Sequence, residues 1–173
     1  MATLVLISIL LSALGVGLAT WNNRELPESL SALVYGLPKR QQWLWTLWMW
    51  AMAVTVGIPL IDRMGGSMFQ FLAFFTMVSL VFCGAIPIVR NERNTVHYGL
   101  AIVAGVSSQL CVVLIEPLWL LVLPVVLAFV AVAAMVQKPW AAWLLERING
   151  KGVMLLEAVC AMSLYGCLCC TIE

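Results

Sequence analysis

The chain has 173 residues, of which 64% are hydrophobic and 10% charged, and its mean hydropathy is +1.04. Soluble domains run nearer half apolar and a quarter charged, so the composition points to one membrane-embedded domain over residues 1–173. The formal net charge is +1, with no basic patch to suit nucleic acid and no acidic tail.

The first apolar run covers residues 2–20. It lacks the positive flank and the small-residue cleavage site of a signal peptide, so it reads as a retained first helix. In the following loop, Pro27 and Glu28 suit a helix start, and Leu30, Leu33, Val34 and Leu37 recur at helical spacing. That segment is too short to span. It is expected to lie in the interface, with Ser29, Ser31 and Tyr35 as its polar groups. The second span is expected at 42–61. Trp43, Trp45, Trp48 and Trp50 crowd its first half, as a belt at the membrane–water boundary would. Pro59 is expected to bend or end it.

The third span is expected at 68–89, with Thr76, Ser79 and Cys83 on one face. The fourth covers about 97–116, from His97, the one histidine of the chain, to Glu116. Twenty-one residues, to Pro117, reach about 30 Å, the hydrocarbon thickness. Its stripe of Ala101, Ala104, Gly105, Ser108, Gln109 and Cys111 is too small and polar for lipid, and reads as a helix seam. The fifth span follows at 118–136. Residues 97–136 as one helix would be about twice the bilayer core, so Glu116-Pro117 must form a tight hairpin. Pro124 is expected to kink the fifth helix. A second interfacial helix is expected within 137–152, from Pro139 to Asn149-Gly150. The sixth span is expected at 153–171 and contains Glu157.

The fold class is therefore an all-α bundle of six transmembrane helices with two interfacial helices. Arg24, Lys39, Arg40, Arg90, Arg93, Lys138, Arg147 and Lys151 fall in alternate loops, leaving Arg63 alone on the other side. The positive-inside rule places the eight in the cytoplasm and both termini outside. His97, Glu157, Arg90, Arg93 and Arg147 then form a cytoplasmic-side polar cluster. Asp62, Arg63, Glu116, Cys167, Cys169 and Cys170 form an outer layer. The outer cysteines could form a disulfide there.

Ser29-Leu30-Ser31 with Tyr35, and Val96-His97-Tyr98, resemble patterns in small six-helix bacterial integral membrane proteins without an assigned activity. The resemblance implies a bacterial inner membrane and no function.

Three classes of function fit these residues. The first is an oligomeric channel or transporter-like protein, with the path along the small-residue seams. The second is a non-catalytic subunit or scaffold for another membrane protein. The third is a lipid- or headgroup-binding protein or enzyme at the cytoplasmic leaflet, with His97 and Glu157 as an acid–base pair. No zinc, phosphate-loop or dinucleotide motif occurs, and one histidine is too few for a membrane zinc hydrolase. No cofactor or metal is expected. Membrane lipids, a second copy or another membrane protein are the expected partners.

Overall fold

The computed structural model describes residues 1–23, 29, 34, 37–89, 95–136, 142, 146 and 151–170. Among the described residues six helices carry the fold: α1 (Ala2–Asn23), α2 (Gln42–Arg63), α3 (Phe71–Val89), α4 (Thr95–Ile115), α5 (Val122–Val136) and α6 (Gly152–Cys170). Short 3₁₀ turns at Lys39–Gln41 and Pro117–Leu121 lead into α2 and α5. There is no strand among the described residues. Among the described residues, three helical segments are long and apolar enough to cross a membrane: Lys39–Arg63, Thr95–Ile115 and Gly152–Cys170. Ala2–Leu18, Phe71–Ile86 and Pro117–Ala131 are shorter apolar stretches.

Local chemistry sets the turns. Pro59 neither ends nor breaks α2, which continues to Arg63. The Met64 and Gly65 amides then bond back to Leu60 and Asp62, and Gly66 takes a positive φ of 78° that a side chain would resist. The expected third span starts three residues late, because 68–70 form a turn in which the Phe69 amide donates to Ser67 Oγ. α4 stops at Ile115, and Glu116 leaves the helical region (φ −153°, ψ 89°). Pro117 opens the next turn, so residues 97–136 are not one continuous helix. Pro124 lies in the first turn of α5, just after the 3₁₀ turn.

Contacts between helices fix their directions. Met77 packs on Gly57 and Met49 on Gly84, so α2 and α3 run antiparallel. Thr76 meets Ser107 and Cys83 meets His97, so α3 and α4 do too. Gln109 of α4 bonds with Cys160 and Ser163 of α6, and Cys111 clusters with Cys167, so α4 and α6 run parallel. Trp48 Nε1 donates to Leu11 O, while Val5 packs with Val56 and Leu60, so α1 opposes α2. Two clusters fill the interior. One joins Val5, Leu60, Met64, Cys111, Val112 and Leu168 toward the α2 C-terminus. The other joins Val34, Trp45, Met49 and Cys83 toward its N-terminus.

The tryptophans divide. Trp43 and Trp50 are exposed, as a belt requires, but Trp45 is buried and Trp48 half-buried. Those two rings lie 4.8 Å apart, centre to centre. Helical periodicity explains the split: positions 43 and 50 are one heptad apart, and 45 and 48 are three apart on another face. Trp45 Nε1 is buried without a hydrogen-bond partner among the described residues. Within the first loop, Ser29 and Val34 are buried. The rest of the helix expected there lies outside the described residues, as does most of the second one.

Candidate functional site

The most unusual chemistry lies at the end of α3, and a proline creates it. In an α-helix the carbonyl of residue i accepts from the amide of i+4. Pro87 has no amide hydrogen, so the Cys83 carbonyl has no such donor. His97, on the first turn of α4 and with no exposed surface, supplies one: its Nδ1 lies 3.2 Å from Cys83 O. A carbonyl oxygen only accepts, so the proton sits on Nδ1. The same nitrogen is 3.5 Å from the Cys83 sulfur. One residue on, Thr46 Oγ1 of α2 donates to Gly84 O at 2.7 Å. Trp50 Nε1 donates to Val81 O at 3.1 Å. Three side chains from two helices thus clasp the carbonyls around this break.

Glu157, half-buried on α6, comes within electrostatic range of Cys83 and Cys160. The structure therefore gathers His97, Cys83 and the Glu157 end of α6 at one end of the bundle. Ser29 and Gln42 are buried residues of the adjoining segments. Arg90, Arg93 and Arg147, placed in this cluster from sequence, lie outside the described residues.

Along α4 the small-residue stripe faces inward only in part. Ala104, Ser108 and Cys111 are buried, and Ala101, Gly105 and Gln109 are half-buried. Ser108 Oγ bonds to Gly105 O at 2.8 Å. Gln109 uses both ends of its amide on α6: Nε2 donates to Cys160 O at 3.0 Å, and Oε1 accepts from Ser163 Oγ at 2.7 Å. A Cβ added at Gly105 would meet nothing within 4 Å, so this is not where two backbones close up. The close approach is at Gly84 and Gly57, between α2 and α3. Gly105 has the right type and spacing for a contact, but spacing alone cannot say which small residue faces a neighbour.

At the other end of the bundle, Glu116, Arg63 and Cys170 come within electrostatic range of Cys167. Glu116 is half-buried, and Asp62 and Arg63 are exposed. The cysteine cluster expected at the surface is split: Cys167 is fully buried, and Cys169 and Cys170 are exposed. Among the described residues, none of the three is in a disulfide.

Several polar contacts were not singled out in sequence. Tyr165 Oη of α6 lies 2.8 Å from both Ser8 Oγ and Ser12 Oγ of α1. Met52 Sδ of α2 accepts from both serines, at 3.7 and 3.5 Å. The four-residue spacing of Ser8 and Ser12 inside an apolar run was the available signal, since it sets both hydroxyls on one face. Thr76, which the sequence did set on a packing face of α3, has its Oγ1 2.8 Å from Ser107 Oγ of α4. In lipid such bonds replace the hydrophobic effect as a source of helix association. Among the described residues, no group of three or more His, Cys, Asp or Glu side chains is placed to hold a metal ion.

No protein-family model matches the chain, and neither a similar curated protein nor a similar solved structure was found.

Proposed function

We propose that the chain is a six-span integral membrane protein that serves as a non-catalytic helical subunit for another membrane protein. The observation that carries this reading is Gln109. It is the most polar side chain of the seam on which a transport path was expected, and both ends of its amide are engaged by α6. Ser108 and Ser107 likewise bond to carbonyls of their own helix, and Ser107 also meets Thr76. Gln109 and Ser107 tie helices together and Ser108 bonds within its own helix, instead of lining a path. Large apolar side chains are exposed on every helix, among them Leu10, Leu47, Phe75, Val106, Leu127 and Met162. Such a surface suits lipid and the apolar face of another membrane protein.

The threading belongs to the same proposal. The antiparallel registers agree with alternate loops lying on opposite sides. The bias of eight basic residues against one places the His97 end in the cytoplasm and both termini outside. The membrane is a bacterial inner membrane, following the resemblance at Ser29–Tyr35 and Val96–Tyr98.

The test is reconstitution. Proteoliposomes of the purified chain should show no flux of ions or small solutes above protein-free vesicles. In native membranes, mild solubilisation should retain it in a complex of fixed stoichiometry with a second membrane protein, whose abundance falls when this chain is deleted. Flux that is lost in Gln109→Leu would overturn the proposal and restore a channel along the seam.

A further inference from the structure

The last turn of α6 carries Cys167-Leu168-Cys169-Cys170, and the helix continues through Cys170. Residues three apart on a helix share a face, and their Cα atoms lie about 5 Å apart, inside the range of about 4.4–6.8 Å that a disulfide spans. Cys169 lies on another face, because it is one residue from Cys170 and two from Cys167. The two sulfurs of the pair have different surroundings. Cys170 is exposed, whereas Cys167 is fully buried against Cys111, Leu164 and Leu168. Arg63 and Glu116 place charge at the same end of the bundle. An exposed thiol meets a reagent first, and a second thiol one turn behind it is within reach of the mixed disulfide that results.

We propose that Cys167 and Cys170 form a thiol–disulfide exchange site whose substrate class is an external disulfide. The Cys170 thiolate attacks one sulfur of the incoming disulfide. A bond forms between Cys170 and that sulfur, the original disulfide bond breaks, and the other half leaves as a thiolate that takes up a proton. The Cys167 thiolate then attacks the Cys170 sulfur, closes the Cys167–Cys170 bond and releases the second half as a thiol. The pair loses two electrons and two protons, and the incoming disulfide becomes two thiols. Helix geometry makes the ring a tight one. Cβ atoms at this spacing lie about 5–6 Å apart against the roughly 4 Å of a relaxed bridge, so the last turn must tighten and the product is readily reduced.

The site is tested on the full chain in isolated membranes treated with oxidised glutathione, so the outcome does not depend on which side of the membrane the cysteines occupy. After treatment and denaturation, alkylation should find four free thiols of the six, and reduction should return the other two. The peptide carrying the pair should lack two hydrogens, and the chain should remain monomeric on a non-reducing gel. Cys169→Ser should behave like the parent. Cys167→Ser should trap glutathione on Cys170. The proposal is overturned if all six thiols stay free, if parent protein holds glutathione on Cys170 without closing the ring, if a reducible dimer is the product, or if closure needs Cys169.

Discussion

Removing the His97 ring should be costly chiefly because of Pro87, and that dependence can be measured. His97→Ala deletes the donor that reaches Cys83 O at 3.2 Å, and Pro87 offers no amide to replace it. A buried carbonyl left without a partner costs about 1–3 kcal/mol. The emptied volume adds a cavity term, so the total falls at about 3–5 kcal/mol by comparison with other large buried side chains. Pro87→Ala restores an amide hydrogen four residues after Cys83, where the helix itself can use it. In that background the unsatisfied-carbonyl part vanishes and only the cavity part of His97→Ala remains. The cycle of the two single variants and the double variant should therefore show a coupling of about 1–3 kcal/mol, with the double variant more stable than additivity allows. His97→Asn offers a separate check. The asparagine amide can place its nitrogen near the position of Nδ1, so it should retain most of the stability lost in His97→Ala. The assay is unfolding by SDS titration in mixed micelles, performed on all five proteins in one lipid–detergent composition. Additive effects would show that the hydrogen bond to Cys83 is not what His97 contributes.

Gly84→Ala should destabilise while Gly105→Ala should not. The new methyl at Gly84 would come to 2.5 Å from Met49 Cβ, which the backbone holds in place, so overpacking of about 1–3 kcal/mol is expected; at Gly105 there is open space and the gain in helix propensity remains. Equal melting temperatures of the two variants in one detergent would refute the α2–α3 contact. Ser163→Ala should cost about 1 kcal/mol, because Gln109 Oε1 loses its donor, and Gln109→Leu should cost a similar amount; the same micelle titration checks both. With the native cysteines removed, a cysteine at Ser67 should react with an impermeant thiol reagent in intact cells, and one at Asn149 only after permeabilisation. The reverse pattern would invert the threading.

The coarse architecture was legible because membrane solvation acts on long, simple stretches. Segments such as 42–61 and 97–116 could be read from length and apolarity alone, and the break at Glu116-Pro117 followed from arithmetic on helix length. Facing was less legible. The sequence places Gly84 and Gly105 equally inside apolar helices, yet only Gly84 meets a neighbour within 4 Å. Nor does it separate Trp45, which turns inward, from Trp43, which is exposed. Both ring types suit an interface, and only the partners of α2 decide. Residues such as Ser8, Ser12 and Tyr165 were missed for the opposite reason. Each is unremarkable alone, and they become a site only when α1 and α6 meet around Met52.

His97 shows how a residue singled out for its chemistry acquires a structural task. A fully buried imidazole in a membrane helix invites a proton-transfer reading. Its Nδ1 is held by the Cys83 carbonyl, which fixes the tautomer and the ring orientation in the neutral form. Protonation would leave that Nδ1–H bond in place, since both nitrogens of the cation donate. The clasp at Pro87 is therefore compatible with either charge state, and any titration must act through Nε2. Structural and titrating roles can thus be separated at the level of single atoms. His97→Asn preserves the first and removes the second. A variant that stays folded but weakens the association with a second membrane protein would place the function in the imidazole; one that behaves like the parent in both respects would assign His97 wholly to holding the proline break of α3.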